Sequence, residues 1–478
     1  MIYLLFTGII LLIFILILIF RAISFRPVEE ENYEEFDIEL NQDQIVNRFS
    51  EMIKCKTISY KDTSLEEGEE FVKFEALLVD RYPNVNSNCS LQYIGPSGIL
   101  YHWKGKSSDK PVVFMAHYDV VPVNEEEWKK NPFSAHIEDD VIWGRGTLDT
   151  KGTLCGIMEA AEELIGQGFV PENDIYLSFS GDEETNGSSA KEIVDFFREN
   201  GIKPDMVLDE GGAIVQGVVP GVKDRCALIG TGEKGKIHLK LSTKSQGGHA
   251  SSPPPISPIG RLSKAVTNIE KNPFNFHISK PVEDMFDTLG RHSSFGMKII
   301  FANLRIFSLL LDTIAQGRGG ELNALFRTTV AFTKMEASDA VNVFPPYASI
   351  EADIRVMEGD TEDSIIKALK NRVADDNISV DLIDVIPVKH FSDTKTEGWE
   401  KLKSSIKEVW GDVLVSPYLM IACSDSRHFT SICDNVYRFS AMELSDEERK
   451  LIHGNNERIP VDKLMDLVKF YINLMKKF

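Results

Sequence analysis

Across residues 111–210 short apolar runs alternate with amphipathic ones, and that alternation leaves few folds open. "PVVFMAH" reads as a buried strand, "DIYLSFS" as a second and "DMVLDE" as a third. Between them, "KGTLCGIMEAAEELIGQGF" repeats Leu154, Ile157, Met158, Ala161, Leu164 and Ile165 at helical spacing, and "SSAKEIVDFFREN" is a helix stopped by Gly201. Strands separated by helices of this length pair in parallel and take helices on their faces. The predicted class is therefore α/β, a catalytic domain with a mostly parallel sheet flanked by helices.

Near Glu233 the texture changes. "KIHLKLSTK" and "YASIEADIRV" alternate with period two, as half-exposed antiparallel strands do. A Pro-rich turn, "SSPPPISP", and a helix-like stretch around "IFSLLLDTIAQ" lie between them. Residues 233–358 thus read as an inserted α+β lid or dimerisation domain, dividing the catalytic domain into parts at 41–232 and 359–478. A length of 478 residues agrees with two compact units.

The first twenty residues, "MIYLLFTGIILLIFILILIF", carry no charge, and as a helix they would span about 30 Å, the hydrocarbon thickness of a bilayer. The run is longer than a signal peptide's apolar core and lacks a basic leader. Residues 1–21 are expected to be a transmembrane anchor and 22–40 an acidic tether. Arg21 and Arg26 would hold the body on the cytoplasmic side by the positive-inside rule. The acids that follow leave an exported body open. A net charge of −21 excludes a nucleic-acid binder, which concentrates Lys and Arg. The six cysteines show no paired spacing, so no disulfide framework or thiolate metal site is indicated.

The chemistry gathers where strands end. In "MAHYDVVP", His117 and Asp119 share a strand face at the carboxyl end, the edge such sheets use for ligands. In "WGRGTLDTKG", Asp149 stands just before a helix, as an N-cap or as a ligand. In "SGDEETNG", Glu183 and Glu184 are adjacent and need different tasks, one binding a cation while the other faces the cleft as a base. "VLDEGG" is expected to end a strand with Asp209 or Glu210, and "IHGNNE" brings His453. Two imidazoles with several carboxylates and no thiol suit an open catalytic zinc site, with Co²⁺ or Mn²⁺ as substitutes.

In this order the motifs "AHYDVVP", "WGRGTLDTKG", "GDEE", "LDEGG", "GGHASSPP" and "IHGNNE" resemble the dizinc peptidase family of carboxypeptidase S, glutamate carboxypeptidase, aminoacylase and the N-fatty-acyl amino acid hydrolases. The lid segments "ALFRTTVAFT" and "NVFPPYASIEADIR" are most similar to the carboxypeptidase S and fatty-acyl amino acid hydrolase branch. The resemblance implies two zinc ions bridged by Asp149, with His117 and Glu210 completing one site and Glu184 and His453 the other. Asp119 would orient a ligand imidazole, and a cis peptide would follow Asp149. Glu183 would be the general base for a water activated between the metals. His249, reaching a partner subunit's site from the lid, would stabilise an oxyanion, and Asn342, Arg355 and Arg427 would grip the substrate carboxylate. The implied reaction is hydrolysis of an amide beside a free carboxylate, in a peptide or an N-acyl amino acid. Reversible synthesis, or an inactive tethered binding protein, are the alternatives. The resemblance also implies a homodimer through the lid and leans toward a lumenal or extracellular body.

Overall fold

The alternating segments pair into two main sheets. In chain order their strands are β1 (Cys89–Ile94), β2 (Gly98–Trp103), β3 (Ser107–His117), β4 (Asn173–Ser180), β5 (Met206–Val215), β6 (Cys226–Glu233), β7 (Gly235–Lys244), β8 (Thr329–Glu336), β9 (Tyr347–Val356), β10 (Ile378–Ile386), β11 (Leu414–Met420) and β12 (Val436–Glu443). The computed structural model describes residues 2–28 and 32–478 of the chain.

The larger sheet has eight strands in the order β1-β2-β4-β3-β5-β12-β6-β11. β3 pairs in parallel with β4 and β5, β5 with β12, and β6 with β11, while β1 and β2 join antiparallel. From Pro111 onward β3 is buried on both faces, and so is β4 after its first residue. That is the reason their sequences are continuous apolar runs and not alternating ones.

The helices that matter below are α1 (Ile2–Ser24), α2 (Lys151–Gly166), α3 (Ser189–Glu199), α4 (Lys280–Gly290), α5 (Phe295–Phe301), α6 (Ser308–Arg318) and α7 (Val461–Met475). α2 is buried along almost its whole length, packed on β3 and against α7. At their contact a Cβ on Gly156 would stand 1.8 Å from Leu467 Cδ2, so only a glycine lets the two helices approach this closely. Each leucine fully buried in this layer contributes roughly 1.5–3 kcal/mol. α3 buries Ile193, Val194 and Phe197 and ends before Gly201, whose φ of +67° reverses the chain as expected.

The four-stranded sheet, β8-β9-β7-β10, is antiparallel throughout. β7 alternates buried and half-buried residues, and its inward set of Ile237, Leu239 and Leu241 meets Ile350, Ile354, Leu262 and Ile365 in a separate apolar core. α4 and α5 do not share that core. Val282, Met285, Phe286, Leu289 and Phe301 belong instead to the core of the eight-stranded sheet, with α4 lying on β11.

Two features differ from the sequence expectation. "VLDEGG" does not end its strand: β5 runs on to Val215, pairing with β12 up to Asp209, slipping register, meeting β12 again at Gly212 and Ile214, and pairing antiparallel with β6 at its end. The glycines allow this. Gly211 takes a φ of +149°, and a Cβ on Gly212 would lie 1.8 Å from the Leu228 carbonyl oxygen. The expected tether includes residues 29–31, which lie outside the described residues. Residues 32–40 form no helix or strand, yet Phe36, Ile38 and Leu40 rest on the main core and the Phe36 amide donates to the Glu408 carbonyl (2.8 Å).

Candidate metal centre

Parallel pairing brings the chemistry to one edge. His117 is the register partner of Ser180, and Phe114 that of Leu208, so His117, the loop of Glu183 and Glu184, and Glu210 come side by side at one edge. The Tyr118 amide donates to the Ser180 carbonyl and ties the first two together (2.9 Å).

Asp149 arrives from the turn before α2. The sequence allowed it to be an N-cap, but that position belongs to Thr150, whose hydroxyl donates to the His117 carbonyl (3.0 Å) instead of capping the helix. The Asp149–Thr150 peptide is cis, as the family resemblance implied. The Asp149 carboxylate is left facing the cleft. Its Oδ1 lies 3.0 Å from His117 Nε2 and its Oδ2 3.0 Å from His453 Nε2, so one carboxylate stands between two imidazoles. Glu210 Oε1 is 3.5 Å from His117 Nε2, and Glu184 is 3.0 Å from His453 Nε2.

Donor atoms of His117, Asp149 and Glu184 lie within 4.8 Å of one another, and so do those of His117, Glu183 and Glu210. The two neighbouring glutamates thus enter different groups. Asp209, the other candidate at that strand, points away and accepts from the Ser426 amide (2.9 Å).

The protein's own charges do not balance this cluster. Burial, with Asp149 beside it, pushes Glu210 up to about 8. Hydrogen bonds to Asp149 and Glu184 raise His453 to about 10. Burial opposes charge on His117, but Glu210, Asp119 and Asp149 outweigh it and hold its pKa well above the usual range. Carboxylates crowded where little water reaches, with protons taking the place of counter-charge, are a donor set that fits divalent cations.

The supports are built as carefully as the donors. Asp119 is fully buried, takes Ser59 Oγ (2.7 Å) and accepts the amides of Glu183 (3.2 Å) and Glu184 (3.1 Å), so it fixes the acidic loop as well as neighbouring His117. His117 Nδ1 meets the Asp119 carbonyl oxygen at 2.9 Å and the carboxylate at 3.3 Å. Asp182 closes the same loop by accepting from the Ser189 amide (3.2 Å) and hydroxyl (2.9 Å) at the start of α3.

Glu457 is the residue the motif reading passed over. It is buried with Arg145 (2.7 Å) and accepts the amides of Leu148 (2.7 Å) and Asp149 (3.3 Å), holding the turn that presents Asp149. Its position four residues beyond His453 in "IHGNNE" was the available signal. Ser59 and Asp425, which receives Ser180 Oγ (2.6 Å), carried none.

The other expected site residues stand outside the cluster. His249 is exposed on a two-residue strand paired with Val343–Phe344, bonding Ser251 Oγ in its own turn (2.8 Å). Asn342 adjoins it, its carbonyl accepting from the Ala250 amide (3.1 Å). Arg355 is half-buried and not a free surface charge: it holds Asp353 (2.7 Å) and reaches Cys423 Sγ (3.4 Å) in the loop of Arg427. Arg427 is buried, donating to the Ser424 carbonyl (2.8 Å) and lying 3.5 Å from Asn186 Oδ1.

With this geometry in hand, likenesses to known proteins are informative. The profile of peptidase family M20/M25/M40 matches residues 113–477. A probable carboxypeptidase S-like protein of Dictyostelium discoideum is 36% identical over 448 residues, covering 92% of this chain and 85% of that protein. The N-fatty-acyl-amino acid synthase/hydrolase of Homo sapiens is 33% identical over 403 residues, 83% of this chain and 80% of the relative. Among solved structures, an M20 family metallo-carboxypeptidase of Sulfolobus solfataricus superposes with a TM-score of 0.67 at 18% identity, covering 90% of this chain and 98% of its own. Human carnosine dipeptidase 1 gives 0.66 at 14% identity, with 91% and 96% covered.

Proposed function

Because the chain belongs to peptidase family M20/M25/M40, and is thereby a metal-dependent peptidase or amidohydrolase, we propose that it hydrolyses an amide bond beside a free carboxylate, in a peptide or an N-acyl amino acid. His117 and Glu210 would hold one cation, Glu184 and His453 a second, and Asp149 both. Zinc suits mixed imidazole and carboxylate donors. Bound there, the cations would polarise the scissile carbonyl and acidify a water.

Glu183 is assigned as the general base. The observation that carries this is its freedom: among the described residues of the cluster, Asp149, Glu184 and Glu210 each lie within 3.5 Å of a histidine Nε2, while Glu183 forms no ion pair with either. Its amide is fixed by Asp119, so its carboxylate stays at the cleft to take a proton from the attacking water and return it to the leaving nitrogen. Asp119 acts by holding His117 and the loop of Glu183 and Glu184.

Within the expected range 233–358, the part built on β7, β8 and β9 would form the lid, since α4 and α5 pack into the core of the eight-stranded sheet. The exposure of His249 and Asn342 on one short ribbon supports a role in a partner copy's site within a lid dimer, and the contact of Arg355 with the Arg427 loop supports a shared anion grip. α1 would anchor the chain in a membrane, since it is long and apolar enough to cross one. The names of the relatives favour a second reading, synthesis of N-acyl amino acids by the same residues in reverse. A hydrolysis screen of dipeptides against N-acyl amino acids, with and without a chelator, tests the proposal. Cleavage confined to substrates with a free carboxylate and lost on metal removal is expected; chelator-resistant cleavage overturns it.

A further inference from the structure

The last turns of α1 are not loose. Leu18 and Ala22 are buried, Asn303 Nδ2 donates to the Leu18 carbonyl (3.4 Å), and Arg21 Nη1 donates to Asn303 Oδ1 (3.3 Å). Just beyond the helix Phe25 is buried, with the Arg291 guanidinium 4.7 Å from its ring centroid and donating to the Arg26 carbonyl (3.1 Å). Residues 2–17 of the same helix are bare.

Leu18 lies inside the uncharged run that ends at Phe20, so Asn303 docks at the height where α1 would pass from hydrocarbon to headgroups. Whatever flanks Asn303 is held at that depth. Its flanks are apolar and open: Phe295 is 53% exposed, Ile306 45%, Leu309 80% and Leu310 46%. Lys298, Arg305 and Arg318 are interleaved with them, and Arg21 joins Arg305 at the rim of a cavity of about 510 Å³ between α1 and α5. Glu283 and Asp287 of α4 form its acidic wall. Apolar tips set among long basic side chains, in a chain of net charge −21, match the boundary of a bilayer better than a second copy of this acidic chain.

We propose that the α5–α6 surface lies in the headgroup layer of the membrane crossed by α1, so that the body rests on lipid at a fixed tilt and does not swing from its anchor. This rests on the reading of α1 as a membrane span.

The test places a tryptophan on the patch of the full chain, Leu309→Trp, and a control on β1 at the opposite edge of the eight-stranded sheet from β11 and α4, Tyr93→Trp, at a position 55% exposed. Both are reconstituted in phosphatidylcholine vesicles with and without brominated acyl chains, subtracting the emission of the native tryptophans. Unchanged activity in detergent verifies that each variant is folded. The expected result is a blue shift and loss of the Leu309→Trp emission with brominated lipid, and neither change for Tyr93→Trp. If the chain resists carbonate extraction yet neither emission responds, or both respond alike, the proposal fails while the anchor stands. Release of the chain by carbonate removes the anchor reading, and this inference with it.

Discussion

Replacing Glu457 should unlock the centre from behind. The carboxylate is fully buried, 2.7 Å from Arg145 Nη1, and accepts the Leu148 amide at 2.7 Å. In Glu457→Ala the Arg145 guanidinium would keep the Gly454 carbonyl (2.9 Å) and the face of Trp128, but no counter-charge. Breaking a buried ion pair from one side costs about 3–5 kcal/mol. Against a total stability of about 5–15 kcal/mol, that is a large share. The loss falls on the turn that aims Asp149, so metal affinity should drop by roughly 10–100-fold, the usual effect of losing a group that orients a ligand. Guanidinium unfolding of the metal-free protein and competition against a zinc chelator would read the two effects separately. Arg145→Met combined with Glu457→Gln removes both charges but keeps an acceptor for the Leu148 amide, and should recover most of the stability. A Glu457→Ala protein that unfolds at the wild-type midpoint and holds metal as tightly would refute the reasoning.

Glu183→Gln is expected to retain metal, measured by atomic emission, while kcat falls by about 10²–10⁴-fold, the range for a lost proton carrier; undiminished turnover would show that another group moves the proton. Mixing Glu183→Gln with His249→Ala should regenerate activity if lids exchange between partners, because one mixed site then holds both intact residues. A mixture as inactive as its components places His249 in its own chain's site, and a His249→Ala protein that is fully active alone places it outside the reaction. Gly156→Ala forces a methyl to within 1.8 Å of Leu467 Cδ2 and should lower stability by about 1–3 kcal/mol with metal content unchanged, as seen in a melting curve; Leu467→Ala in the same chain should relieve it.

The parallel sheet and the donors at its edge were legible because both follow local rules. Apolar runs too short for spanning helices alternate with helical periods, and His117 ends its strand while Glu183 and Glu184 follow theirs within four residues. The contacts that hold them were not legible, since each joins distant segments: Ser59 to Asp119, Ser180 to Asp425, Glu457 to the turn before α2. Nothing local in "FGMKIIFANLRIF" says that α5 belongs to the main core and receives the end of α1 while neighbouring β7 and β9 keep a core of their own. The bulge in β5 shows the same limit. Two glycines after "LDE" read as a strand end, and only the partners on either side, β12 and β6, make them a change of register.

Since the donors run from His117 to His453, with Glu457 bracing them, the order of synthesis matters. A ribosome-bound chain has its first imidazole and its acidic loop long before the second imidazole emerges, and the turn bearing Asp149 stays unbraced until Glu457 follows. On the proposed assignment, the donor set is complete only once nearly all of the matched region has emerged and folded. Chain connectivity alone thus withholds the complete donor set from a half-built chain.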